Sequence, residues 1–423
     1  MKRTTSSHAR LGARGLAALA AGRAASRASR LLGRGSGGMI GGTIAHRIDP
    51  TILTRLGRSR RSVIVTGTNG KSTTTAMVAA AARLAGTVAT NANGDNMDAG
   101  VLTALMNGSG EIAVLEVDEM HVGGIARAIE PDVIVLLNLS RDQLDRVGEI
   151  GTVEAHLRGV VDAHPHATII ANCDDPLIAS AAWDAPHVVW VGAGTSWTHD
   201  AVSFPRGGHT VVFGEDGWRV PGTSYARPRP DYEVTDEGLV TPTETLPLRL
   251  SIPGRANRGN AAQAALAAHA LGVDLAQALA AAGKVNAVAG RYATVPVAGR
   301  SVHMLLAKNP AGWQEALTML DVGADTIIVD VNGQEADSTD LSWLWDVDFE
   351  QFRRQTEHIP LIATGERGLD LAVRLTYAGC RVTHAPDILT AVRQAPGTRI
   401  ELLANYTAFR DAKKIFATEE AQR

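Results

Sequence analysis

The stretch VIVTGTNGKST, residues 63–73, runs from an apolar strand through a glycine-containing turn into a helix. In such a turn the backbone N–H groups can curl around phosphate oxygens, and the helix N-terminus adds the positive end of its dipole. Lys71 is expected to face solvent, where it can reach the outer phosphates, and the Ser72 hydroxyl can bind Mg²⁺. The strict Walker pattern fails, because Val65 stands where it requires glycine. A tight turn with an incidental lysine is the alternative. The predicted nucleotide contacts are Gly67, Thr68, Asn69, Gly70, Lys71, Ser72 and Thr73.

The sequence around this loop alternates short β-branched runs with alanine-rich helical stretches, which predicts an α/β domain on a mostly parallel sheet. Strands are predicted at 62–65, 112–117, 133–137 and 167–170, and helices at 72–84, 122–129, 153–163, 260–271 and 275–282. Residues 195–246, rich in Gly, Pro and Thr, indicate a small β insertion.

A second α/β domain is predicted from residue 291 onward. Its strands are expected at 301–307, 326–331, 360–363 and 400–403, with helices that include 312–320 and 368–378. A unit of this length is an ordinary domain size.

The overall composition excludes several classes of protein. The 423 residues suffice for two or three domains, and the formal net charge of -3 gives no bias toward nucleic acid. The two cysteines lie far apart, which argues against a disulfide framework or a structural zinc site and favours a reducing cytoplasm. No apolar run reaches the roughly 18–20 residues that a spanning helix needs.

Residues 1–36 form a separate basic segment, because no Asp or Glu occurs in residues 1–34. Arg23, Arg27 and Arg30 interrupt it before a secretory apolar region can form. We expect a solvated basic tail or an amphipathic helix, with contact to anionic lipid or an acidic partner as the sharper alternative.

Four further segments, together with the phosphate loop, resemble the Mur ligases, which use ATP to activate a carboxylate as an acyl phosphate. These segments are LEV at 115–117, LNLSRDQLD at 137–145, NCDDP at 172–176 and IPGRANRGNA at 252–261. The resemblance implies Mg²⁺ on Ser72 and Glu116, and nucleotide contacts from Asn257 and from Arg291 at the domain junction. Alternatively, Glu116 pairs with an arginine, and Asn257 is only a helix cap.

The chain also departs from an amino-acid-adding Mur ligase. It has no lysine between Lys71 and Lys284 that could be carbamylated, and Gln143 replaces an expected histidine. The segments RDQLDR at 141–146, LAKNPAGW at 306–313, DLSWLWDVDFE at 340–350 and NYTA at 405–408 resemble instead the MurT family. That family works with a GatD-type glutamine amidotransferase and amidates the D-glutamate α-carboxylate of lipid II.

The MurT resemblance implies a central P-loop ATPase domain at 37–290, and a Rossmann-like, partner-binding domain at 291–423. It implies ATP and Mg²⁺ as cofactors, and a heterodimer in the cytoplasm at the inner face of the membrane. Cysteine is absent between Cys173 and Cys380, so we expect the insertion to be zinc-free and held by Val211, Phe213 and Trp218. The alternatives are an amino-acid-adding ligase of the Mur or folylpolyglutamate type, and a non-catalytic nucleotide-binding scaffold.

Asp340 is the residue that the resemblance assigns to the partner's Cys–His pair, where it would orient the histidine. Asp337 and Asp346 are its rivals. The alternative for this segment is a solvated acidic loop anchored in the core by Trp343 and Trp345. Both cysteines are expected to be core thiols, with Cys380 in a strand, so the ammonia has to come from another chain.

Overall fold

The computed structural model describes residues 11–32, 38–91, 94–141, 150–195, 197–286, 292–321, 323–337, 340–350, 353 and 357–421. These residues divide into two compact units. The first contains residues 11–140 and 150–286, and the second contains residues 292–421 together with Arg141. The predicted domain boundary after residue 290 lies outside the described residues.

The first unit is built on a nine-stranded sheet with helices on both faces. Its helices are α1 Ala13–Leu31, α2 Gly38–Ile48, α3 Ile52–Gly57, α4 Lys71–Ala82, α5 Asp98–Asn107, α6 Val122–Ile129, α7 Ile150–Ala163, α8 Pro176–Ala182, α9 Arg255–Ala270 and α10 Leu275–Gly283. Its strands are β1 Arg61–Thr66, β2 Val88–Thr90, β3 Ile112–Glu116, β4 Val133–Leu136, β5 Thr168–Asn172, β6 Val188–Gly192, β7 Val212–Gly214, β8 Gly217–Arg219, β9 Tyr232–Val234, β10 Leu239–Val240 and β11 Thr245–Leu246.

The central strands are parallel, as the sequence predicts. The strand order is β11-β10-β9-β6-β5-β4-β1-β3-β2, and only β9 to β11 pair in antiparallel fashion. Strand β1 pairs with β3 and β4, and its residues from Ser62 to Thr66 are buried. An apolar strand covered on both faces is typical of a parallel sheet. The phosphate loop therefore leaves an interior strand of the sheet.

The described residues of the predicted insertion contain five short strands, and the last three extend the central sheet through β6. The hairpin β7–β8 packs with a small cluster that includes Phe204, Val211 and Trp218. The Trp218 indole donates a hydrogen bond to the Cys173 carbonyl at 2.9 Å. The prediction that Phe213 anchors the insertion is wrong, because this residue is 37% exposed.

The basic N-terminal segment is not a solvated tail over residues 13–31, where the structure has helix α1. Its inner face is made of Gly15, Ala18, Leu19, Gly22 and Ser26. Ala18 and Leu19 belong to the core of the first unit. Of the two sequence predictions, a solvated tail or an amphipathic helix, the structure therefore agrees with the helix. In the described part of the chain, we find no helix long and apolar enough to span a membrane.

The second unit is a smaller doubly wound domain. Its strands are β12 Tyr292–Val297, β13 Arg300–Leu306, β14 Thr326–Asp330, β15 Leu361–Thr364, β16 Val382–His384 and β17 Arg399–Ala404, and its helices are α11 Pro310–Thr318, α12 Gly368–Tyr377, α13 Ile388–Gln394 and α14 Tyr406–Ala421. The order is β12-β13-β17-β14-β15-β16, with β12 antiparallel and the rest parallel. One core packs α11 and α12 on the sheet and the other packs α13 and α14. Cys380 precedes β16 rather than lying in a strand.

Asp330 ends β14 at the centre of this sheet and is only 3% exposed. Its Oδ1 atom has no hydrogen-bond partner among the described residues. Burial, together with the nearby charges of Asp411, Glu366 and Asp337, raises the pKa of the Asp330 carboxyl to about 7. Burial in this position disfavours the charged form, so the carboxyl group keeps its proton well above the pH at which an exposed aspartate loses it.

We therefore expect Asp330→Asn to stabilise the second unit at alkaline pH. The folded pKa lies above the ordinary value of 3.8, so the folded chain binds more protons, and stability falls as pH rises from about 4 through about 7. Removing the charge should gain on the order of 2–4 kcal/mol above pH 8, and this gain should shrink toward pH 5. Urea unfolding at several pH values measures it. Asp325→Asn is the matched control, because Asp325 is only partly buried and its pKa is lowered by the backbone N–H groups of Arg399 and Thr398. A gain independent of pH would contradict the account.

Candidate active site

The turn between β1 and α4 has a backbone that only glycine suits at two positions. Gly67 has φ 133° and Gly70 has φ 85°, both in the region that L side chains rarely adopt. A Cβ on Gly67 would lie 2.9 Å from the Asn138 carbonyl oxygen, and one on Gly70 would lie 2.9 Å from the Asn260 amide nitrogen. Gly70 is also the N-cap of α4, directly before its first residue. The loop thus presents bare backbone at a helix N-terminus, as phosphate binding requires.

The segment after β4 holds this loop in place. Asn138 and Asn69 exchange two hydrogen bonds, in which the Asn69 N–H donates to Oδ1 and the Asn138 amide donates to the Asn69 carbonyl, each at 2.9 Å. The Thr68 N–H donates to the Asn138 carbonyl. The Thr68 hydroxyl accepts from the Ser140 N–H at 3.0 Å. These bonds hold the loop through contacts within the protein itself, which lowers the ordering cost of binding a ligand.

Lys71 is the first residue of α4, and its side chain is buried rather than solvent-facing. The sequence prediction of a solvent-facing lysine is wrong, because the residue is only 7% exposed. Its ammonium donates to the Gly67 carbonyl at 2.6 Å and to the Thr68 carbonyl at 3.2 Å, and it pairs with Glu119 at 3.0 Å. The α4 register turns Lys71 back over its own loop, where its charge can reach bound phosphates. Glu119, which the sequence reasoning missed, holds the lysine there.

Ser72 and Glu116 are the predicted Mg²⁺ ligands. Ser72 is half-buried in the first turn of α4, and Glu116 ends β3 beside β1. The Glu116 carboxylate is 4% exposed and accepts one long hydrogen bond, 3.4 Å, from the Asn96 amide. The predicted alternative of an arginine partner has no support in the described part of the chain. A buried carboxylate so weakly bonded, beside a hydroxyl and a phosphate loop, fits a hard oxygen-seeking cation.

The described residues contain no group of three or more His, Cys, Asp or Glu side chains that could hold a metal ion. A phosphate-loop Mg²⁺ does not need such a group, because waters and phosphate oxygens supply most of its ligands.

The NCDDP segment, residues 172–176, stabilises the segment that holds the phosphate loop. Asp175 caps α8 by accepting from the Leu177 and Ile178 N–H groups, and it also accepts from the Leu139 N–H at 2.8 Å. Burial raises the pKa of Asp175 to about 6, although these three N–H groups lower it. The carboxylate therefore ties the segment that holds the phosphate loop to the next strand of the sheet. Asp174 instead binds Arg227, which returns from the insertion.

Asn257 and Asn260 lie in the first turns of α9. The Asn257 amide donates to the Pro253 carbonyl at 2.6 Å and its Oδ1 accepts from Asn260 at 3.3 Å, so it is held inside the turn. The Asn260 amide stands against Gly70 of the phosphate loop. The sequence reasoning named Asn257 as the nucleotide contact and treated Asn260 only as a helix residue. Its spacing of three from Asn257 was the signal that both share one helix face.

Replacing Gly70 with alanine should therefore damage the loop. The new Cβ would lie 2.9 Å from Asn260 Nδ2 in a positive-φ backbone, so the loop has to shift. We expect nucleotide affinity to fall roughly 10–100-fold, as misplacing a binding group by about an ångström does. Titration with a fluorescent ATP analogue measures the loss. Gly151→Ala is the matched control, because nothing lies within 4 Å of its Cβ in α7. Equal affinity for both variants would contradict the assignment.

Asp340 lies in the second unit, before a short 3₁₀ turn, Ser342–Trp345. It is exposed, and its Oδ1 accepts from the Ser342 N–H at 2.8 Å. Trp343 packs against Trp313 with ring centroids 5.6 Å apart, so it anchors the segment as predicted. The prediction that Trp345 is a second core anchor is wrong, because this residue is 57% exposed. Asp340 thus stands accessible on a fixed turn.

The rival Asp337 has its carboxylate oxygens engaged. One accepts from the Thr407 N–H at 2.9 Å and the other from the Thr407 hydroxyl, at the start of α14. Burial raises the pKa of Asp337. Asp346, the other rival, follows the 3₁₀ turn. The predicted nucleotide contact Arg291 lies outside the described residues, as does Gln143.

Comparison with known proteins agrees with this geometry. Residues 65–268 match the family model of the Mur ligase middle domain, and residues 306–409 match that of the MurT ligase C-terminal domain. In solved structures, the fold is similar to a pseudomurein peptide ligase type C from Methanothermus fervidus, with a TM-score of 0.66 and 18% identity over 87% of this chain and 80% of that one. It is also similar to the MurF ligase of Thermotoga maritima in complex with ADP, with a TM-score of 0.58 and 15% identity over 88% and 84%.

Two curated relatives extend along most of the chain. The lipid II isoglutaminyl synthase (glutamine-hydrolyzing) subunit MurT of Staphylococcus aureus (strain COL) is 26% identical, over 85% of this chain and 86% of that protein. The subunit of the same name from Streptococcus pneumoniae (strain ATCC BAA-255 / R6) is 30% identical, over 96% of this chain and 97% of that protein. With a match of that identity along nearly its whole length, the chain belongs to the MurT family.

Proposed function

We propose that this chain is the ATP-dependent synthetase subunit of a glutamine-hydrolysing amidotransferase. It activates the D-glutamate α-carboxylate of lipid II, or of a related muropeptide, as an acyl phosphate, and ammonia then converts this group to the amide. The observation that carries the proposal is the phosphate loop with Lys71 and Glu116, in a chain of the MurT family.

The residues of the loop have distinct roles in this reaction. The glycine backbone and the α4 N-terminus bind the phosphates, and the Lys71 ammonium neutralises the charge that builds on the transferred group. Ser72 and Glu116 would hold Mg²⁺, which adds a second positive charge at the phosphates when it is bound. Asn138 and Asp175 hold the loop in position. Positioning of the phosphates and stabilisation of their charge then supply most of the rate enhancement of phosphoryl transfer.

The chemistry balances without a redox partner. A carboxylate oxygen of the substrate attacks the terminal phosphorus of ATP, and ADP leaves. The nitrogen of ammonia then attacks the acyl carbon, and phosphate leaves with the bridging oxygen and takes up the proton that the nitrogen loses. The amide formed is D-isoglutamine.

The ammonia has to come from a second protein. Burial raises the pKa of the Cys173 thiol to about 12, and burial also raises that of Cys380, so neither is an activated nucleophile. We propose a GatD-type glutaminase as partner in a heterodimer, with Asp340 on the second unit orienting its catalytic histidine. We further propose that the complex works in the cytoplasm, at the inner face of the membrane that carries lipid II.

The test is a reaction with purified chain, ATP, Mg²⁺, a lipid II or muropeptide substrate, and ammonium chloride in place of glutamine. We expect ADP and an amidated product in equal amounts, identified by mass spectrometry. Addition of a free amino acid should give no adduct, which separates this function from an amino-acid-adding ligase. ADP without amide, or an amino-acid adduct, would contradict the proposal. A chain that binds ATP and never turns it over would be a scaffold.

A further inference from the structure

We propose that the helical hairpin of α1 and α2 docks this chain on an anionic lipid bilayer. The docking surface consists of the exposed apolar side chains Leu16, Leu31, Leu32, Met39 and Ile40, with Arg27, Arg30 and Arg47 beside them. The inference stands on the exposure and charge of this surface, and it rests on the proposed function only for its purpose, which is access to a lipid-linked substrate.

The hairpin is a fixed part of the first unit. A Cβ on Gly22 would lie 2.8 Å from the Gly41 carbonyl, and one on Gly42 would lie 1.9 Å from the Ala99 carbonyl, so both helices approach their neighbours at backbone distance. The Arg23 guanidinium reaches the Met106 carbonyl at the end of α5. One face of the hairpin is therefore anchored, and the other faces outward in a set direction.

The outward face is unusually apolar for a protein surface. Leu31 is 88% exposed, Leu32 is 70% exposed and Leu16 is 49% exposed, while Met39 and Ile40 add two more exposed side chains from α2. Between them, α1 exposes small alanines, including Ala20, Ala24 and Ala28. Single exposed apolar residues need no explanation, but several on one helix pair indicate a binding surface.

Charge selects the partner. The first acidic residue of the sequence is Asp49, so every charged side chain in the hairpin, and in the residues before it, is positive. Basic residues beside exposed leucines match a bilayer, whose phosphate headgroups lie next to acyl chains. A nucleic acid would satisfy the arginines but leave the leucines without an apolar partner. No described helix can span a membrane, so the hairpin would lie in the headgroup plane.

The experiment is sedimentation of the full chain with vesicles of phosphatidylcholine, with and without phosphatidylglycerol. We expect binding to the anionic vesicles, weaker binding in high salt, and little binding to neutral ones. The double variant Leu31→Glu/Leu32→Glu should reduce the partition coefficient at least about tenfold, and Arg27→Glu/Arg30→Glu should reduce it similarly.

Leu369→Glu/Val373→Glu is the matched control, because these side chains are 66% and 52% exposed on α12 of the other unit. This variant should bind vesicles like the unaltered chain. Vesicle binding is measured without substrate or ATP, so its failure is distinguishable from a failure of the synthetase assignment. Absence of binding to anionic vesicles, or unchanged binding of the leucine variant, would overturn the proposal. The proposal would also be overturned if the chain bound DNA as tightly as anionic vesicles and the leucine substitutions left DNA binding unchanged, because the surface would then act by charge alone.

Discussion

Lys71→Ala should reduce ATP-dependent amidation by at least about 10²–10³-fold, the loss that follows removal of one charge-stabilising group from a transition state. Its ammonium lies on the phosphate loop, held by the Gly67 carbonyl and by Glu119. Because Lys71 is buried, the substitution also leaves Glu119 without its partner, which costs stability. Initial rates with saturating ATP and ammonium, together with a thermal melt, measure both effects.

A second variant separates the two effects. Lys71→Ala/Glu119→Gln removes the lysine and the carboxylate charge that it neutralises, so the melting temperature should recover relative to the single variant. Amidation should stay lost, because the phosphates still lack their ammonium. A double variant that regains near-normal amidation would show that Lys71 serves only to balance Glu119, and the nucleotide assignment would fail.

Asp340→Asn should lower glutamine hydrolysis by the complex by about 10⁴, the loss seen when a catalytic triad loses its carboxylate. Asp340 is exposed on a turn fixed by the Trp343–Trp313 contact, so a partner's imidazole could reach it. Ammonium at high concentration should restore amidation, because the phosphate site lies in the other unit. Glutaminase and ammonium-dependent rates are measured on the same preparation.

The controls use the two rival carboxylates. Asp337→Asn should loosen the start of α14 through its bonds to Thr407, and lower the melting temperature without the selective loss of glutamine hydrolysis. Asp346→Asn should leave glutamine hydrolysis near normal. If instead Asp346→Asn gives the selective loss and Asp340→Asn does not, the assignment moves to Asp346. Loss of ammonium-dependent amidation in Asp340→Asn would point to the acyl-phosphate site.

The regular elements were predictable because their periodicity is local. Helix α6 has the predicted bounds, 122–129, and β3 ends one residue before its predicted end at Val117. Burial of single side chains was harder to predict, because it depends on what packs from elsewhere in the chain. Trp345 and Phe213 look like core residues by composition, yet both face outward.

The site shows the same division. The phosphate loop could be located from its glycines and Lys71, since the motif encodes a backbone shape. The partners that hold it could not. Glu119 and Asn138 reach the loop because β3 and β4 lie beside β1, and Asn260 reaches it because α9 packs against α4. The basic N-terminal segment was ambiguous for a related reason. Its glycines and alanines carry little hydrophobic signal, yet they allow the close helix packing that buries it.

The central claim is that this chain activates a carboxylate by phosphorylation, and one isotope measurement tests it most directly. A muropeptide whose D-glutamate α-carboxylate carries a heavy isotope at both oxygens is incubated with the chain, ATP, Mg²⁺ and ammonium, and the inorganic phosphate is analysed by mass spectrometry. We predict that one labelled oxygen appears in phosphate for each amide formed. Amide formation with unlabelled phosphate would contradict the account, because the carboxylate would then have been activated by some other route.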